Sequence, residues 1–329
     1  MKSKINNCNK IEIAGVVSCL PKRKIKNSDF YEFFTKEEIN KVCKSIGVNS
    51  RYQVKDEVST SDLCLAAAKH LISKLKWEIN SIDGIILLTQ TPDYKLPASA
   101  FKIHKQLGLK SDTFAFDVNL GCSAYPYGLW LASSLMQTGP KRILLMAGDT
   151  ISKIVNPQDR STALLFGDAG SATAIQISDE NNDWKFSFGS DGNGIDDIKS
   201  DIGEVLNMNG AKVFEFTLSK VPLLIKNIDE ANSKPHDLYF FHQANLFMLN
   251  FIRKKCKIAE NAFPININEF GNTSSASIPL LMTDYFLKNK IENSIKAALV
   301  GFGVGYSWAA ASLDINPSSF FDKIFLTDN

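Results

Sequence analysis

The stretch TFAFDVNLGCSAYPYG, residues 113–128, decides the fold. Its first six residues alternate and favour β-branched and aromatic side chains, which predicts a buried strand over 113–118. Residues 127–136 predict a helix, and Pro126 is acceptable in a first helical turn. A strand, a short link and a helix form the repeating unit of α/β proteins. Cys122 is therefore predicted at a sharp strand-to-helix turn.

The position of Cys122 gives it two possible roles. Unpaired N–H groups and the helix dipole at a helix N-terminus favour a thiolate, which would make Cys122 a nucleophile. The alternative is a small buried hydrophobic side chain, which is what most free cysteines are. Position alone leaves both roles open.

Outward from this turn, predicted strands and helices alternate along the chain. Strands are predicted at 11–18, 84–88, 142–147, 172–177, 238–241, 297–301 and 308–313. Helices are predicted at 61–75, 98–107, 245–257 and 275–288. This order predicts an α/β protein with parallel or mixed sheets that are covered on both faces. FGDAGSA at 166–172 matches FGVGYSW at 302–308 in outline, which indicates two halves, 1–177 and 178–329, joined near SDENNDW at 178–184.

Composition excludes several classes of protein. The chain has 329 residues, 44% of them apolar, and 37 basic against 35 acidic residues give a net charge of +2. This balance argues against nucleic-acid binding, and the longest apolar runs are far shorter than a ~20-residue membrane span. The opening MKSKINNCNK lacks the apolar stretch of a signal peptide. The six cysteines form no C-x-x-C pair, so we expect no metal site, no disulfide framework and a cytoplasmic location.

Four further segments are rich in polar or glycine residues. His242 follows a predicted strand, where α/β sheets build their sites, and Asn272 lies in the small-residue run GNTSSAS. A satisfied loop histidine and a helix N-cap are the alternatives. The turn GFGVG at 301–305 precedes a strand and lacks the Gly-Lys-Ser/Thr of a phosphate loop; it can bring a backbone N–H close to an oxyanion. The Gly/Asp segment 189–197 is predicted to be a surface loop.

Five motifs together resemble the β-ketoacyl-[acyl carrier protein] synthase III family of the thiolase superfamily. They are DVNLGCSAYPYG at 117–128, NPQDRSTALLFGDAGSATA at 156–174, FHQAN at 241–245, EFGNTSSASIP at 269–279 and GFGVGYSWAAA at 301–311. The resemblance covers nearly the whole chain and is weaker near 20–60 and 180–210. It implies the thiolase fold, a five-layered αβαβα arrangement of duplicated halves.

The resemblance also implies a reaction. Cys122 would take an acyl group from a thioester, and His242 and Asn272 would then assist decarboxylation of a malonyl group on a carrier protein. The N–H groups of Cys122 and Val304 would form the oxyanion hole. The resulting carbanion would attack the acyl-cysteine, and this chemistry requires neither a metal nor another cofactor.

Further residues take roles only through this resemblance. The substrate pocket would be lined by Leu96, Phe166, Phe214 and Phe302, with Leu96 reaching across a homodimer. Coenzyme A or a carrier protein would contact Arg160, Asn245, Arg253, Lys254 and Lys257. The basic cluster at 253–257 ends a predicted helix, and at the pocket rim its charge would suit an acidic carrier protein. The alternative is a solvated helix end whose cations complement the helix dipole. The expected partners are an acyl-CoA or acyl-carrier protein donor and malonyl-carrier protein, with no nucleic acid and no membrane.

Departures from the family pattern point to an unusual donor. The Trp and Arg that usually contact adenine are absent from the segment EEINKVCKSIGV, Phe247 replaces a usual arginine, and Val304 replaces a usual glycine. We therefore expect an acyl group that comes from a carrier protein, or a specialised acyl-CoA, in a specialised pathway.

Other functions remain to be weighed against condensation. One alternative is an acyltransferase of the same fold that acylates an amine or hydroxyl. Another is a non-catalytic subunit that stabilises an active homologue, although the intact Cys-His-Asn set argues against it. A papain-like hydrolase shares only the residue types, because its local cysteine signature is absent.

Overall fold

The computed structural model describes residues 4–180 and 182–327. The strands are β1 Asn6–Asn9, β2 Ile11–Leu20, β3 Lys24–Lys26, β4 Ser50–Tyr52, β5 Gly84–Leu88, β6 Phe114–Val118, β7 Arg142–Asp149, β8 Ala169–Ile177, β9 Asp183–Ser190, β10 Ile198–Lys199, β11 Asn207–Met208, β12 Leu238–Phe241, β13 Ile295–Gly303, β14 Ser307–Ile315 and β15 Phe320–Phe325. The α-helices are α1 Lys36–Ile46, α2 Thr60–Leu75, α3 Ala100–Leu107, α4 Ala124–Met136, α5 Arg160–Ala163, α6 Gly210–Glu230, α7 Leu246–Lys255, α8 Ile267–Phe270 and α9 Ser277–Lys288.

The first large sheet is mixed and has the strand order β15-β2-β8-β7-β5-β6. Its central strand β5, with the sequence GIILL, is buried along its whole length because helices cover both faces of the sheet. Leu63 and Leu71 of α2 and Ile103 of α3 pack on the outer face with Leu87. Strand β6 lies at the edge, and all of its residues are half-buried.

The second large sheet has the order β1-β9-β14-β13-β12. Helices α6 and α7 cover its outer face through residues such as Leu224 and Leu249. Helices α4 and α9 lie between the two sheets, where Leu129 and Leu281 share one core with strands of both. The layers are therefore helix, sheet, helix, sheet, helix, which confirms the predicted αβαβα fold.

The two sheets exchange strands between the halves of the chain. Strand β1 pairs with β9 in the second sheet, and β15 pairs with β2 in the first. The division into 1–177 and 178–329 remains a prediction, because each sheet includes one strand from across that boundary.

Some elements differ from the sequence-based expectations. Helix α4 begins at Ala124 rather than at 127, which brings its first turn directly beside Cys122. Strand β9 begins inside the segment 178–184 that predicted a junction. Helix α6, which contains Pro222, was not predicted. None of the helices in the described residues is both long enough and apolar enough to cross a lipid bilayer.

Candidate active site

Three connections between elements bring Cys122, His242 and Asn272 to one cavity. Cys122 follows β6, His242 follows β12 directly, and Asn272 lies just beyond α8. All three line a cavity of about 790 Å³ that lies between the two halves of the chain. The structure therefore brings together the three residues that the sequence selected.

The surroundings of the Cys122 thiol favour its protonated form. Burial raises the pKa of its thiol to about 12, and the nearby Asp149 carboxylate contributes to the increase. The Ser274 hydroxyl and the backbone N–H groups of Cys122 and Val304 hydrogen-bond to the sulfur and oppose the shift. Desolvation outweighs these hydrogen bonds, so burial favours the thiol over the thiolate that a helix N-terminus alone would favour.

Glycines allow the turn at 301–305 to lie against Cys122. Gly303 has φ of +156°, and a Cβ there would lie 2.7 Å from the Cys122 Cβ and 3.1 Å from its sulfur. A Cβ on Gly301 would lie 2.7 Å from the Cys122 carbonyl oxygen. Since only glycine fits at both positions, the turn can present the N–H of Val304 to the sulfur.

The far end of this turn is held by the predicted Gly/Asp loop. Tyr306 exchanges two backbone hydrogen bonds with Asp191, each 2.8 Å long, and its hydroxyl donates to Asp197 at 2.5 Å. The ring of Tyr306 stacks on Phe216 at 4.0 Å. The loop at 191–197 therefore positions the glycine turn.

His242 is fully buried and neutral. Burial lowers the pKa of its imidazole to about 3, although a hydrogen bond with the Ser274 backbone opposes the shift. Nδ1 lies 2.7 Å from the hydroxyl oxygen of Ser277, and the ring meets that of Phe302 edge-on at 5.7 Å. These contacts fix the ring orientation.

The carboxamide of Asn272 is oriented by its own loop. Its oxygen accepts a hydrogen bond of 2.9 Å from the N–H of Ser274, and its nitrogen lies 3.5 Å from the Ala244 carbonyl oxygen. The preceding Gly271 has φ of +67°, and a Cβ there would lie 2.6 Å from the Leu165 carbonyl oxygen. Because the oxygen is occupied and one N–H is directed to the Ala244 carbonyl, the second amide N–H is the polar group that Asn272 can present to a ligand.

The predicted pocket residues divide into two groups. Phe166 and Phe302 line the cavity. Phe214 does not, and that prediction is wrong, because its ring packs on Phe247 at 5.3 Å and Phe251 at 5.7 Å beside the cavity. Leu96 is 82% exposed in the single chain, so its predicted role across a dimer remains a prediction.

The predicted carrier-binding residues lie in three places. Asn245 lines the cavity, where its side-chain oxygen accepts a hydrogen bond from the N–H of Met248 and caps α7. Arg160 is outside the cavity lining and pairs with Glu38 of α1 at 3.1 Å. At the opposite end of α7 from the cavity, Arg253 pairs with Glu260, and Lys254 and Lys257 are exposed. Thus the basic cluster is not at the cavity rim, and its binding role remains a prediction.

Sequence reasoning missed three residues that support this site. Ser274 contacts Cys122 and Asn272, and Ser277 contacts His242. Asp149 is buried near Cys122 and accepts hydrogen bonds from both the N–H and the hydroxyl of Ser275. The two serines belong to the quoted motif GNTSSAS, which was a usable signal, whereas nothing in the sequence around Asp149 marks it.

Comparisons with known proteins agree with this geometry. The profile of the 3-oxoacyl-[acyl-carrier-protein (ACP)] synthase III family matches residues 116–192, and the profile of its C-terminal part matches residues 228–315. The chain belongs to this family. A β-ketoacyl-[acyl-carrier-protein] synthase III of Clostridium tetani is 33% identical over 92% of this chain and 97% of its own length.

Relatives from other bacteria give the same result. A β-ketoacyl-[acyl-carrier-protein] synthase III of Campylobacter fetus is 34% identical over 92% of this chain and 98% of its own length. The crystal structure of a 3-oxoacyl-(acyl-carrier protein) synthase from Burkholderia xenovorans LB400 superposes with a TM-score of 0.95. It is 41% identical and covers 98% of this chain and 99% of that chain.

Proposed function

We propose that this condensing enzyme, a member of the synthase III family, transfers an acyl group to Cys122 and then joins it to a malonyl unit on a carrier protein, with loss of CO2. The observation that carries the proposal is the convergence of Cys122, His242 and Asn272 on one cavity. Family membership supports the same reaction.

The first step forms an acyl-cysteine. The Cys122 sulfur attacks the carbonyl carbon of the donor thioester, and the thiol proton goes to the departing donor thiolate. Negative charge on the carbonyl oxygen is stabilised by the N–H groups of Cys122 and Val304, which already face the sulfur. Proton loss must accompany attack, because the resting sulfur carries its proton.

The second step uses the other two side chains. The malonyl thioester oxygen accepts hydrogen bonds from an amide N–H of Asn272 and from Nε2–H of His242. Loss of CO2 leaves an enolate, which these two donors stabilise. Its carbon attacks the acyl carbonyl, and the bond to Cys122 breaks. The sulfur then takes a proton from solvent as the β-ketoacyl thioester leaves.

This role requires His242 to be neutral with its proton on Nε2. The low pKa of His242 supports the neutral form. Donation by the Ser277 hydroxyl to Nδ1 would leave the single ring proton on Nε2, which is the tautomer that the proposal needs.

The partners of the reaction are the second part of the proposal. We infer that malonyl-carrier protein is the extender and that the donor is an acyl-carrier protein or an acyl-CoA. A homodimer fits the half-buried edge strand β6 and the exposed Leu96, both of which a second copy of the chain would cover.

Two assays on the same variants test the function. Cys122→Ala should abolish the acyl-protein mass shift, whereas His242→Ala and Asn272→Ala should lower malonyl decarboxylation and retain some acylation. His104→Ala, a change on α3 outside the cavity lining, is the matched control. Acylation of Cys122→Ala, or full decarboxylation by His242→Ala or Asn272→Ala, would contradict the assignment.

A further inference from the structure

Two side-chain carboxamides lie together on one wall of the active-site cavity, the wall that the N-terminal half of the chain forms. Gln90 lies just beyond β5 and Asn119 directly follows β6, and both line the cavity that contains Cys122. The Gln90 nitrogen donates to the Asn119 side-chain oxygen at 3.3 Å. Gln90 is half-buried, and Asn119 is at the exposed end of this wall.

The Gln90 side chain reaches the backbone beside the nucleophile. A Cβ added to Gly121, the residue before Cys122, would lie 2.3 Å from the side-chain oxygen of Gln90. The backbone N–H of Gln90 donates to the buried Asp149 carboxylate at 2.8 Å, which fixes the backbone from which the Gln90 side chain extends. The absence of a side chain at Gly121 thus allows the Gln90 carboxamide to lie against the Cys122 turn.

This pair has hydrogen-bonding groups that the protein does not use. Each carboxamide offers two N–H donors and one carbonyl oxygen. Within the described residues, the two side chains make a hydrogen bond only to each other. Exchanging the nitrogen and oxygen of either amide would still leave donors and an acceptor without a partner in the protein.

The proposed two-step reaction determines which substrate group lies at this wall. His242 and Asn272, both from the C-terminal half, must contact the malonyl thioester while the acyl group is still on Cys122. The wall that carries Gln90 and Asn119 belongs to the N-terminal half and is therefore available to the acyl group. This step rests on the proposed function.

We propose that Gln90 and Asn119 form a hydrogen-bonding subsite that selects a short acyl group carrying a neutral hydroxyl. A hydroxyl both donates and accepts, which matches the unused groups of the pair. A plain alkyl chain would leave the remaining donors and acceptor of the pair without a hydrogen-bond partner.

A competition between matched donors tests the subsite. Equal amounts of the butyryl, 2-hydroxybutyryl and 3-hydroxybutyryl thioesters of pantetheine are incubated with the enzyme, and acyl-protein masses are followed over time. We expect at least one hydroxybutyryl group to load at least about tenfold faster than butyryl, since sites that hydrogen-bond a substrate discriminate against analogues that lack the polar group.

Variants of similar side-chain size connect this preference to the pair. Gln90→Met and Asn119→Leu should bring the hydroxybutyryl-to-butyryl ratio close to one, whereas Gln106→Leu, on the exposed face of α3, should leave the ratio unchanged. The melting temperature of each variant, compared with that of the wild type, separates loss of selectivity from loss of the fold.

Three results would overturn the inference, and they differ in whether they also contradict the proposed function. Equal or faster loading of butyryl by the wild type contradicts the subsite but leaves the proposed function intact if the acyl group is then condensed. If the wild type prefers a hydroxybutyryl group and both Gln90→Met and Asn119→Leu keep the same hydroxybutyryl-to-butyryl ratio, other residues are responsible for the preference. If Cys122 accepts an acyl group neither from these thioesters nor from any acyl-carrier protein, that result contradicts the proposed function itself.

Discussion

Nδ1 of His242 and the hydroxyl oxygen of Ser277 lie 2.7 Å apart in a buried environment. Ser277 is the first residue of α9, so the helix holds the hydroxyl at a fixed position next to the imidazole. A neutral histidine carries one ring proton, and the partner of one nitrogen determines whether the other can donate. Ser277 is therefore assigned as a positioning residue for His242.

Removing this hydroxyl should impair decarboxylation selectively. Ser277→Ala is expected to lower kcat for malonyl decarboxylation about tenfold, with little change in KM. This is less than the roughly 10²- to 10⁴-fold contribution of a positioned acid–base group, because His242 itself remains. Ser277→Thr, which retains the hydroxyl, should restore much of the rate, and Ser73→Ala on the exposed face of α2 is the control. Equal loss in the Ala and Thr variants would mean that Ser277 acts only through packing.

The neutral state of His242 predicts a specific pH dependence. Because burial lowers its pKa to about 3, the imidazole stays unprotonated at every pH above that value. The rate of malonyl decarboxylation should therefore show no step near pH 6.5 between pH 5 and 8. A step near pH 6.5 that disappears in His242→Gln would show that the histidine titrates normally.

The protonated state of Cys122 predicts slow alkylation at neutral pH. Its pKa is raised to about 12, so the rate of carbamidomethylation by iodoacetamide should rise from pH 7 to 10 without reaching a plateau. Peptide mapping by mass spectrometry distinguishes Cys122 from the other cysteines, and glutathione provides an unburied reference thiol. A plateau below about pH 8 would mean that the thiolate is stabilised in the resting enzyme.

The close approach of the glycine turn to Cys122 can be tested with one added methyl group. Gly303→Ala would place a Cβ 2.7 Å from the Cys122 Cβ, at a backbone φ that favours glycine. Loading of Cys122 should fall by about 100-fold, comparable to loss of one oxyanion donor, because Val304 can no longer lie beside the sulfur.

Gly139→Ala is the control for this change, since Gly139 also has a positive φ, +136°, but a Cβ there meets no atom within 4 Å. The melting temperatures of both variants show whether each one folds. Wild-type loading by a folded Gly303→Ala variant would refute the proposed role of the turn.

The sequence indicated those parts of the molecule that depend on short-range patterns. The strand at 84–88 and the cysteine turn were predictable because residue alternation and turn residues act over a few positions. His242 and Asn272 were identified because each follows a recognisable local motif. The layered fold was predicted from the order of elements together with the family resemblance.

Other properties depend on packing between distant segments. The protonation state of Cys122 is set by burial and by Asp149, 27 positions away in the chain, neither of which the local sequence reveals. Phe214 was misplaced because α6 was not predicted, so its orientation toward Phe247 could not be known. The exchange of β1 and β15 between sheets likewise depends on pairing across the whole chain.

The most direct test of the account follows two products of one reaction mixture. Wild-type enzyme, an acyl donor that loads Cys122, and malonyl-carrier protein should yield β-ketoacyl-carrier protein together with CO2. Cys122→Ala should still release CO2, since His242 and Asn272 remain, but should form no β-ketoacyl product. Condensed product from Cys122→Ala, or wild-type enzyme that loads Cys122 yet never condenses it with malonyl, would contradict the central claim.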